Sequence, residues 1–144
     1  MTNRLASGLK PFLSNEKLDS TYHKAIFSGN IRRYKIEWPI PEQTSSSSRK
    51  MLYICYDKQL ALKINEYLEN KREKARVSIG ESDLRYRKPK IFIRQSLPGD
   101  ERITAALSSN IDEYCDNSVY VINQKRDEYP LEYLLAILNS PLMT

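Results

Sequence analysis

The segment RYRKPKIFIRQS, residues 85–96, combines a basic entry with a short apolar run. Four basic residues surround Tyr86 and Pro89, and the apolar residues 91–93 follow directly. Proline is tolerated at the first position of a strand, because it cannot donate to the hydrogen-bond ladder further in. The segment therefore predicts a buried central strand over residues 90–95 with cations at its entrance. Positive charge on a rigid backbone is what a polyanion such as DNA binds.

Charge is distributed unevenly along the 144-residue chain, whose formal net charge is +5. Residues 1–96 carry 20 Lys and Arg against 10 Asp and Glu, whereas residues 97–144 carry 3 against 8. Such asymmetry predicts one surface that faces a polyanion and another that faces a different environment. A solvated charged surface is the alternative interpretation of the basic runs.

Length and composition favour one domain spanning residues 1–144, because the chain is 40% hydrophobic and 28% charged. No apolar run approaches the ~20 residues that a membrane-spanning helix needs, and the first residues lack the apolar region of a signal peptide. We therefore expect a cytoplasmic protein without a membrane partner. Cys55, Cys115 and His23 lie far apart in sequence. This spacing predicts two buried free thiols and no zinc site.

The remaining segments predict an α+β fold, in which helices pack on a mixed β-sheet. The predicted strands are residues 31–38, 51–56, 90–95, 102–107 and 118–123, with 102–107 as hairpin partner of the central strand after the turn at residues 98–100. Three helices are predicted. The first begins after Ser14, the second runs from the N-cap Asp57 towards Arg76, and the third spans residues 131–138. The last helix is apolar nearly all round, which predicts that it is buried. The serine run within residues 43–50 and the segment 77–84 predict loops.

The order of several motifs resembles a known family. KPKIFIRQS is followed by PGDERITAAL, YCDNSVYVINQK and YPLEYLLAILNSPL, and IFSGNIRRYKIEWP lies upstream. This series resembles the TaqI-like C-terminal specificity domain, which reads DNA in type IIG restriction-modification enzymes and related adenine-N6 methyltransferases. The resemblance covers roughly residues 10–143. It implies that the chain is the target-recognition domain, and a fragment, of a larger restriction-modification enzyme.

The motifs of catalysis are missing from the sequence. Methyltransferases of this family carry an Asn/Asp-Pro-Pro-aromatic motif and a glycine-containing cofactor loop, but this sequence has no Pro-Pro pair and its four glycines are scattered. The resemblance therefore implies that S-adenosylmethionine binds only to the catalytic domain of the parent enzyme, a methyltransferase or nuclease domain that acts in cis or in trans. A nuclease centre built from Asp57 and Glu69 is disfavoured, because both lie on one predicted helix while such centres need carboxylates from different elements. A thiol catalyst formed by Cys115 and His23 has no better support. We predict no catalytic residue, metal or cofactor in this chain.

Candidate DNA contacts follow from residue type and position. The cations expected to bind phosphates are Arg32, Arg33, Lys35, Arg85, Arg87, Lys88 and Lys90. Arg94 and Gln95 have side chains of the types that read guanine and adenine in the major groove, although Arg94 is equally suited to pairing with Asp116 or Glu113. Sequence-specific duplex DNA binding is the function predicted. The alternatives are an RNA-binding module and a protein-interaction module that docks a partner through its acidic C-terminal part.

Two further groups of residues have competing interpretations. Tyr34 and Tyr86 stand between basic residues, where a ring can stack on an exposed base, or they fill a half-buried sheet as most tyrosines do. The cations of residues 71–76 suit the C-terminus of the preceding predicted helix as well as they suit DNA.

Overall fold

The chain folds as three β-sheets and three α-helices within the residues that the computed structural model describes: 11–40, 52–74, 76–79, 82–95, 99, 102–125 and 128–142. The strands are β1 (Leu13–Ser14), β2 (Tyr22–Ile26), β3 (Ile31–Arg32), β4 (Lys35–Ile36), β5 (Tyr53–Cys55), β6 (Lys90–Arg94), β7 (Ala105–Ser108), β8 (Glu113–Cys115) and β9 (Val119–Asn123). The helices are α1 (Lys58–Asn70), α2 (Leu84–Arg87) and α3 (Leu131–Leu138). The predicted combination of mixed sheet and packed helices is confirmed.

Strand pairing joins distant parts of the sequence. A four-stranded sheet has the order β1-β5-β2-β8, in which β8 runs parallel to β2 and the other neighbours are antiparallel. A three-stranded antiparallel sheet has the order β7-β6-β9, and β3 and β4 form a separate hairpin. The predicted central strand, its hairpin partner β7 and the strands β5 and β9 are confirmed.

Strand β6 separates two apolar clusters, because successive side chains of a strand point to opposite faces. Phe92 joins the larger cluster, which includes residues of β2, β5, β8 and α1. Ile91 joins the smaller cluster, where Leu131 and Leu135 of α3 pack on the other face of the sheet. Both β6 side chains are fully buried, so this strand holds the two halves of the domain together.

Helix α1 begins as predicted, since the carboxylate of Asp57 accepts hydrogen bonds from the backbone N–H groups of Gln59 and Leu60. The helix ends at Asn70, six residues before the predicted limit at Arg76. Arg72 follows with a left-handed φ of 56°. This conformation stops the helix, and the basic residues that follow are exposed.

The N-terminal helix predicted after Ser14 is wrong, because the described part of that segment forms β1 and β2. Pairing with β5 on the same sheet decides this outcome: Leu13 and His23 both lie opposite Ile54. Phe12 and Ile26 are fully buried there, and this long-range burial outweighs the weak local helix propensity.

The single strand predicted over residues 31–38 is also wrong. The chain turns at Tyr34, whose φ is 65°, and β3 and β4 form a hairpin. Asn30 holds the base of the hairpin, because its side chain accepts from the Phe27 N–H at 2.9 Å and donates to the Glu37 carbonyl at 2.8 Å. The turn is fixed to β7 by the Tyr34 N–H, which donates to the Ala105 carbonyl at 3.0 Å. Tyr34 is therefore 59% exposed and does not fill the core.

Helix α3 starts after Pro130 as predicted, but only one side of it is buried. Leu131, Leu135 and Leu138 face the sheet, whereas Tyr133 and Ile137 are exposed. The prediction of burial all round is therefore wrong. Asn139 ends the helix and bonds to both backbone groups of Ala105, at 2.9 Å each. In this way α3 is joined to β7 by an amide side chain as well as by apolar contacts.

Strand β8 lies in the polar sequence EYC and was not predicted. The serine run and the turn at residues 98–100 lie outside the described residues, apart from Gly99. In the described part of the chain, no helix has the length and apolar character needed to cross a membrane.

Candidate nucleic-acid interface

The one-turn helix α2 sorts the basic segment into buried and exposed side chains. Tyr86 points inward and is 1% exposed, while its neighbours Arg85, Arg87 and Lys88 are exposed. This arrangement follows from the ~100° rotation per helical residue, which lets one ring enter the core while flanking residues face solvent. Pro89 then leads the chain into β6.

The Tyr86 ring belongs to an aromatic column. It stacks on Tyr114 with 4.4 Å between ring centroids, and Tyr114 stacks on His23 at 3.8 Å. Tyr56 meets both tyrosines edge-on at 6.4 and 5.8 Å. Aromatic pairs with such geometry each add ~0.5–1.5 kcal/mol beyond their burial, so the column is a rigid base for α2.

Arg85 caps this column from outside. Its guanidinium lies 4.7 Å from the centroid of the Tyr86 ring, and Nη2 donates to the Tyr86 hydroxyl at 2.9 Å. The hydroxyl in turn donates to the Cys115 carbonyl at 3.2 Å. Burial raises the pKa of Tyr86 well above its ordinary value, so the hydroxyl stays protonated and keeps this donor. Arg85 is therefore exposed but held in a fixed orientation.

Asp83 fixes the other side of α2. Its Oδ2 accepts from the Tyr114 hydroxyl at 2.7 Å and from Arg87 Nε at 3.1 Å. Burial opposes ionisation of Asp83, but the Tyr114 hydrogen bond and the Arg87 charge outweigh it and hold the carboxyl pKa below its ordinary value. The charge of Arg87 is thus partly compensated, whereas Lys88 has no ion pair within the described residues.

A polar cavity of about 360 Å³ runs along the outer edge of β9. It is lined by Arg85, Tyr86, Gln95, Cys115, Asp116, Asn117, Val119, Tyr120 and Val121. Arg85 and Gln95 were both candidate DNA contacts, and the structure brings them to one cavity although they lie ten positions apart in the sequence. Asp116, Asn117 and Tyr120 were not predicted as site residues, because only the β8–β9 turn and the long-range packing of α2 place them there.

The candidate cations of the β3–β4 hairpin form a second group. Arg32 and Lys35 are exposed and approach the two carboxylate oxygens of Glu37 at 3.8 and 3.5 Å. Exposed ion pairs of this kind contribute little to stability, so both cations remain available to a polyanion. Arg33 is half-buried beside Tyr34 at the turn.

The hairpin and α2 lie at opposite ends of β6. The hairpin bonds to Ala105, which pairs with Ile93, whereas the Arg85 carbonyl bonds to Asn123, which pairs with Lys90. Three residues of strand therefore separate the two attachment points, which corresponds to about 10 Å. The predicted cations occupy two groups and not one continuous stripe.

Lys90 is not an exposed phosphate ligand, and that part of the prediction needs correction. The residue is 0% exposed, and Nζ donates to the carbonyls of Tyr86 and Asn110 at 2.6 and 2.7 Å. Burial lowers the pKa of Lys90 to about 8. Lys90 therefore ties α2 to the β7–β8 connection, and we remove it from the candidate phosphate contacts.

Arg94 and Gln95, at the end of β6, have different environments. Arg94 is half-buried, and the predicted pairing with Asp116 or Glu113 does not occur in the described part of the chain. Glu113 instead accepts from Ser108 at 2.8 Å, and Asp116 accepts from the Ser118 N–H at 2.9 Å. Gln95 lies just beyond the strand end and is exposed at the cavity.

The disfavoured catalytic arrangements gain no support from the geometry. Cys115 is buried, and burial raises its thiol pKa to about 11. His23 stacks on Tyr114 and contacts Asp112 at 2.9 Å. Cys55 and Cys115 are free and buried, as predicted. Among the described residues, no group of three or more His, Cys, Asp or Glu side chains is placed to hold a metal ion.

Fold and site define a mixed α/β domain with an exposed cationic helix beside a polar cavity. The family model of the TaqI-like C-terminal specificity domain matches residues 24–144. The chain belongs to this family, and membership implies a target-recognition role in DNA restriction-modification enzymes. The match covers the specificity domain, and no catalytic domain is detected in this chain. No curated protein sequence matches the chain.

Proposed function

We propose that this chain recognises a specific duplex DNA sequence as the target-recognition domain of a type IIG-like restriction-modification enzyme. The observation that carries the proposal is the family match over residues 24–144. The exposed cations of α2 and of the β3–β4 hairpin support it, because duplex DNA is bound first through its phosphates.

The proposal divides recognition and catalysis between two domains of the parent enzyme. The parent enzyme is an adenine-specific methyltransferase or restriction endonuclease, and its catalytic domain binds S-adenosylmethionine. That domain acts in cis or in trans, while the present chain supplies recognition and no catalytic step. The chain on its own should therefore transfer no tritiated methyl group from S-adenosylmethionine to plasmid DNA and should not cleave it.

Phosphate contact is assigned to the exposed or half-buried cations that remain after correction. These are Arg32, Arg33, Lys35, Arg85, Arg87 and Lys88. All of them except the half-buried Arg33 are exposed, so they can meet a phosphate without a change of fold. Arg94 was a candidate base contact and not a candidate phosphate contact, and this half-buried residue is assigned no phosphate.

A binding comparison tests the proposal. The full chain is titrated into labelled 30-base-pair duplex DNA of randomised sequence, and separately into duplex RNA, in 50 mM salt. We expect retardation of DNA, competed by duplex DNA more strongly than by duplex RNA. Equal competition by both would favour the RNA-binding alternative, and no retardation of either would contradict the proposal. Lys63→Ala, which removes an exposed cation on α1, is the matched control and should bind like the wild type.

One observation favours a second candidate function, a protein-interaction module. Tyr133 and Ile137 are exposed on α3, and the exposed Tyr129, just before the helix, stacks on Tyr133 at 5.7 Å. Exposed aromatic groups of this kind are enriched at protein interfaces. If this function is correct, Tyr133→Ser will abolish copurification with a partner protein while leaving DNA retardation unchanged.

A further inference from the structure

The side chains that line the cavity along β9 differ in hydrogen-bonding groups and charge from those of a phosphate-binding site. Arg85 donates, Gln95 and Asn117 can both donate and accept, and Asp116 adds a negative charge. A phosphate only accepts hydrogen bonds and is repelled by a carboxylate. Base edges in the major groove, in contrast, display donors and acceptors side by side.

We infer that this cavity reads base edges of duplex DNA, with Arg85 and Gln95 as the two side chains that determine sequence preference. The inference rests on the proposed function and deepens it. It reassigns Arg85 from phosphate contact to base contact, while Arg87 at the end of α2 and Lys88 directly after it remain candidate phosphate ligands. Neither Arg87 nor Lys88 lines the cavity.

The orientation of Arg85 supports this role. Its guanidinium carbon lies over the Tyr86 ring, and Nη2 donates to the Tyr86 hydroxyl. In this arrangement the remaining N–H groups of the planar guanidinium can donate to O6 and N7 of guanine, a bidentate contact that a lysine cannot reproduce. Because the ring beneath belongs to the buried column with Tyr114, little side-chain order has to be gained on binding.

Gln95 occupies the opposite end of the same cavity. Its backbone N–H donates to the Ser118 carbonyl at 3.3 Å, which fixes the end of β6 against the start of β9. The exposed amide can pair with N6 and N7 of adenine. The cavity spans the three β9 residues 119–121, or about 7 Å, so the two bases should lie within roughly three base pairs of each other.

The cavity lies on an edge strand, which suggests a rival occupant. Within the described residues β9 pairs with β6 on one side only, and an extended peptide can add to such an edge. A peptide strand that pairs with the backbone of β9 does not require Arg85 or Gln95, whereas base recognition uses both side chains. We therefore treat peptide binding as an outcome of the test.

Selection from a randomised duplex pool tests the inference. The full wild-type chain, Arg85→Lys, Gln95→Ala and Lys88→Ala are each used to enrich bound duplexes at 50 mM salt, and the enriched pools are sequenced. Arg85→Lys retains charge, and Gln95→Ala alters an exposed side chain, so both should fold; thermal melts check this. Discrimination at one guanine should fall by roughly 5- to 150-fold in Arg85→Lys, and at one nearby adenine in Gln95→Ala. Lys88→Ala should bind all sequences more weakly with the preference unchanged.

The outcomes separate this inference from the proposed function. If the wild type enriches a sequence and Arg85→Lys and Gln95→Ala enrich the same one with equal discrimination, the cavity does not read bases and the proposed function stands. If the wild type enriches no duplex sequence, both fail. Binding of an extended peptide that is abolished by Tyr120→Pro, with no sequence enrichment, would assign the edge of β9 to a protein partner.

Discussion

The guanidinium of Arg85 lies 4.7 Å from the centroid of the Tyr86 ring and donates to the hydroxyl of that ring at 2.9 Å. A buried tyrosine thus orients an exposed cation. The same tyrosine fixes α2 to the core, since its hydroxyl also donates to the Cys115 carbonyl. The base contact proposed for Arg85 and the attachment of α2 to the core therefore both depend on Tyr86, and a substitution there can test the two effects separately.

Tyr86→Phe should keep the ring stack and remove both hydrogen bonds of the hydroxyl. We expect a loss of about 0.5–1.5 kcal/mol per bond in the free energy of unfolding. Binding to a selected duplex should weaken more than binding to randomised duplex, because Arg85 keeps its charge but loses its orientation. Urea unfolding and fluorescence anisotropy measure the two effects. Tyr67→Phe, at an exposed position on α1, is the control, and equal behaviour of the two variants would contradict the orienting role.

Arg87 and Lys88 should affect binding without affecting the fold. Changing both to Ala should alter stability by no more than about 0.5 kcal/mol each, because both are exposed, and should weaken binding to all duplex sequences alike. Ile91→Ala should instead cost about 2–5 kcal/mol through lost burial and a cavity. Thermal melts and anisotropy on the same proteins distinguish the cases. Unfolding of the double variant would show that these cations are structural.

The burial of Lys90 predicts a pH dependence of stability. Its pKa is about 8 in the fold and near 10.4 in an unfolded chain, so between these values the unfolded state binds the extra proton. Stability due to Lys90 should therefore rise as pH increases from about 8 to 10.5, by ~3 kcal/mol at most. Urea unfolding of the wild type and Lys90→Met across this range isolates the effect. Parallel stability curves would contradict the burial of a titrating amine, and Lys63→Met should show none of this dependence.

Asn139 should contribute to stability through its two bonds to Ala105. Asn139→Ala leaves the buried Ala105 N–H without its partner, which should cost about 1–3 kcal/mol. Amide exchange at Ala105 should accelerate by the corresponding factor. Asn70→Ala, at the exposed end of α1, provides the comparison. If the two variants have the same melting temperature, the connection between α3 and β7 depends on apolar packing alone.

Local sequence patterns predicted the parts of the fold whose signals are local. The apolar run of β6 after Pro89, the cap at Asp57 and the start of α3 after Pro130 each follow from a few neighbouring residues. β8 escaped prediction because it has only Tyr114 and Cys115 as apolar residues and is stabilised by parallel pairing with β2, about ninety residues away.

Side-chain contacts between distant segments explain the other differences. The alternating sequence of residues 31–38 indicates one strand. The hairpin at Tyr34 forms instead because Asn30 bonds across its base and the Tyr34 N–H bonds to Ala105. From the sequence alone Lys90 is expected to be an exposed cation, whereas in the structure its amino group donates to the carbonyls of Tyr86 and Asn110. The candidate cations were predictable as residue types, but their separation into two groups required the three-dimensional arrangement.

The salt dependence of DNA binding tests the central claim most directly. Fluorescence anisotropy of the full chain with duplex DNA is measured from 50 to 200 mM salt. About five phosphate contacts predict that log Kd changes with log salt with a slope of magnitude near 4 to 5, a loss of roughly 500-fold in affinity across this range. The Arg87→Ala/Lys88→Ala variant should reduce the slope by about 2. A flat response, or a slope that the double substitution leaves unchanged, would contradict a DNA-binding role for this face.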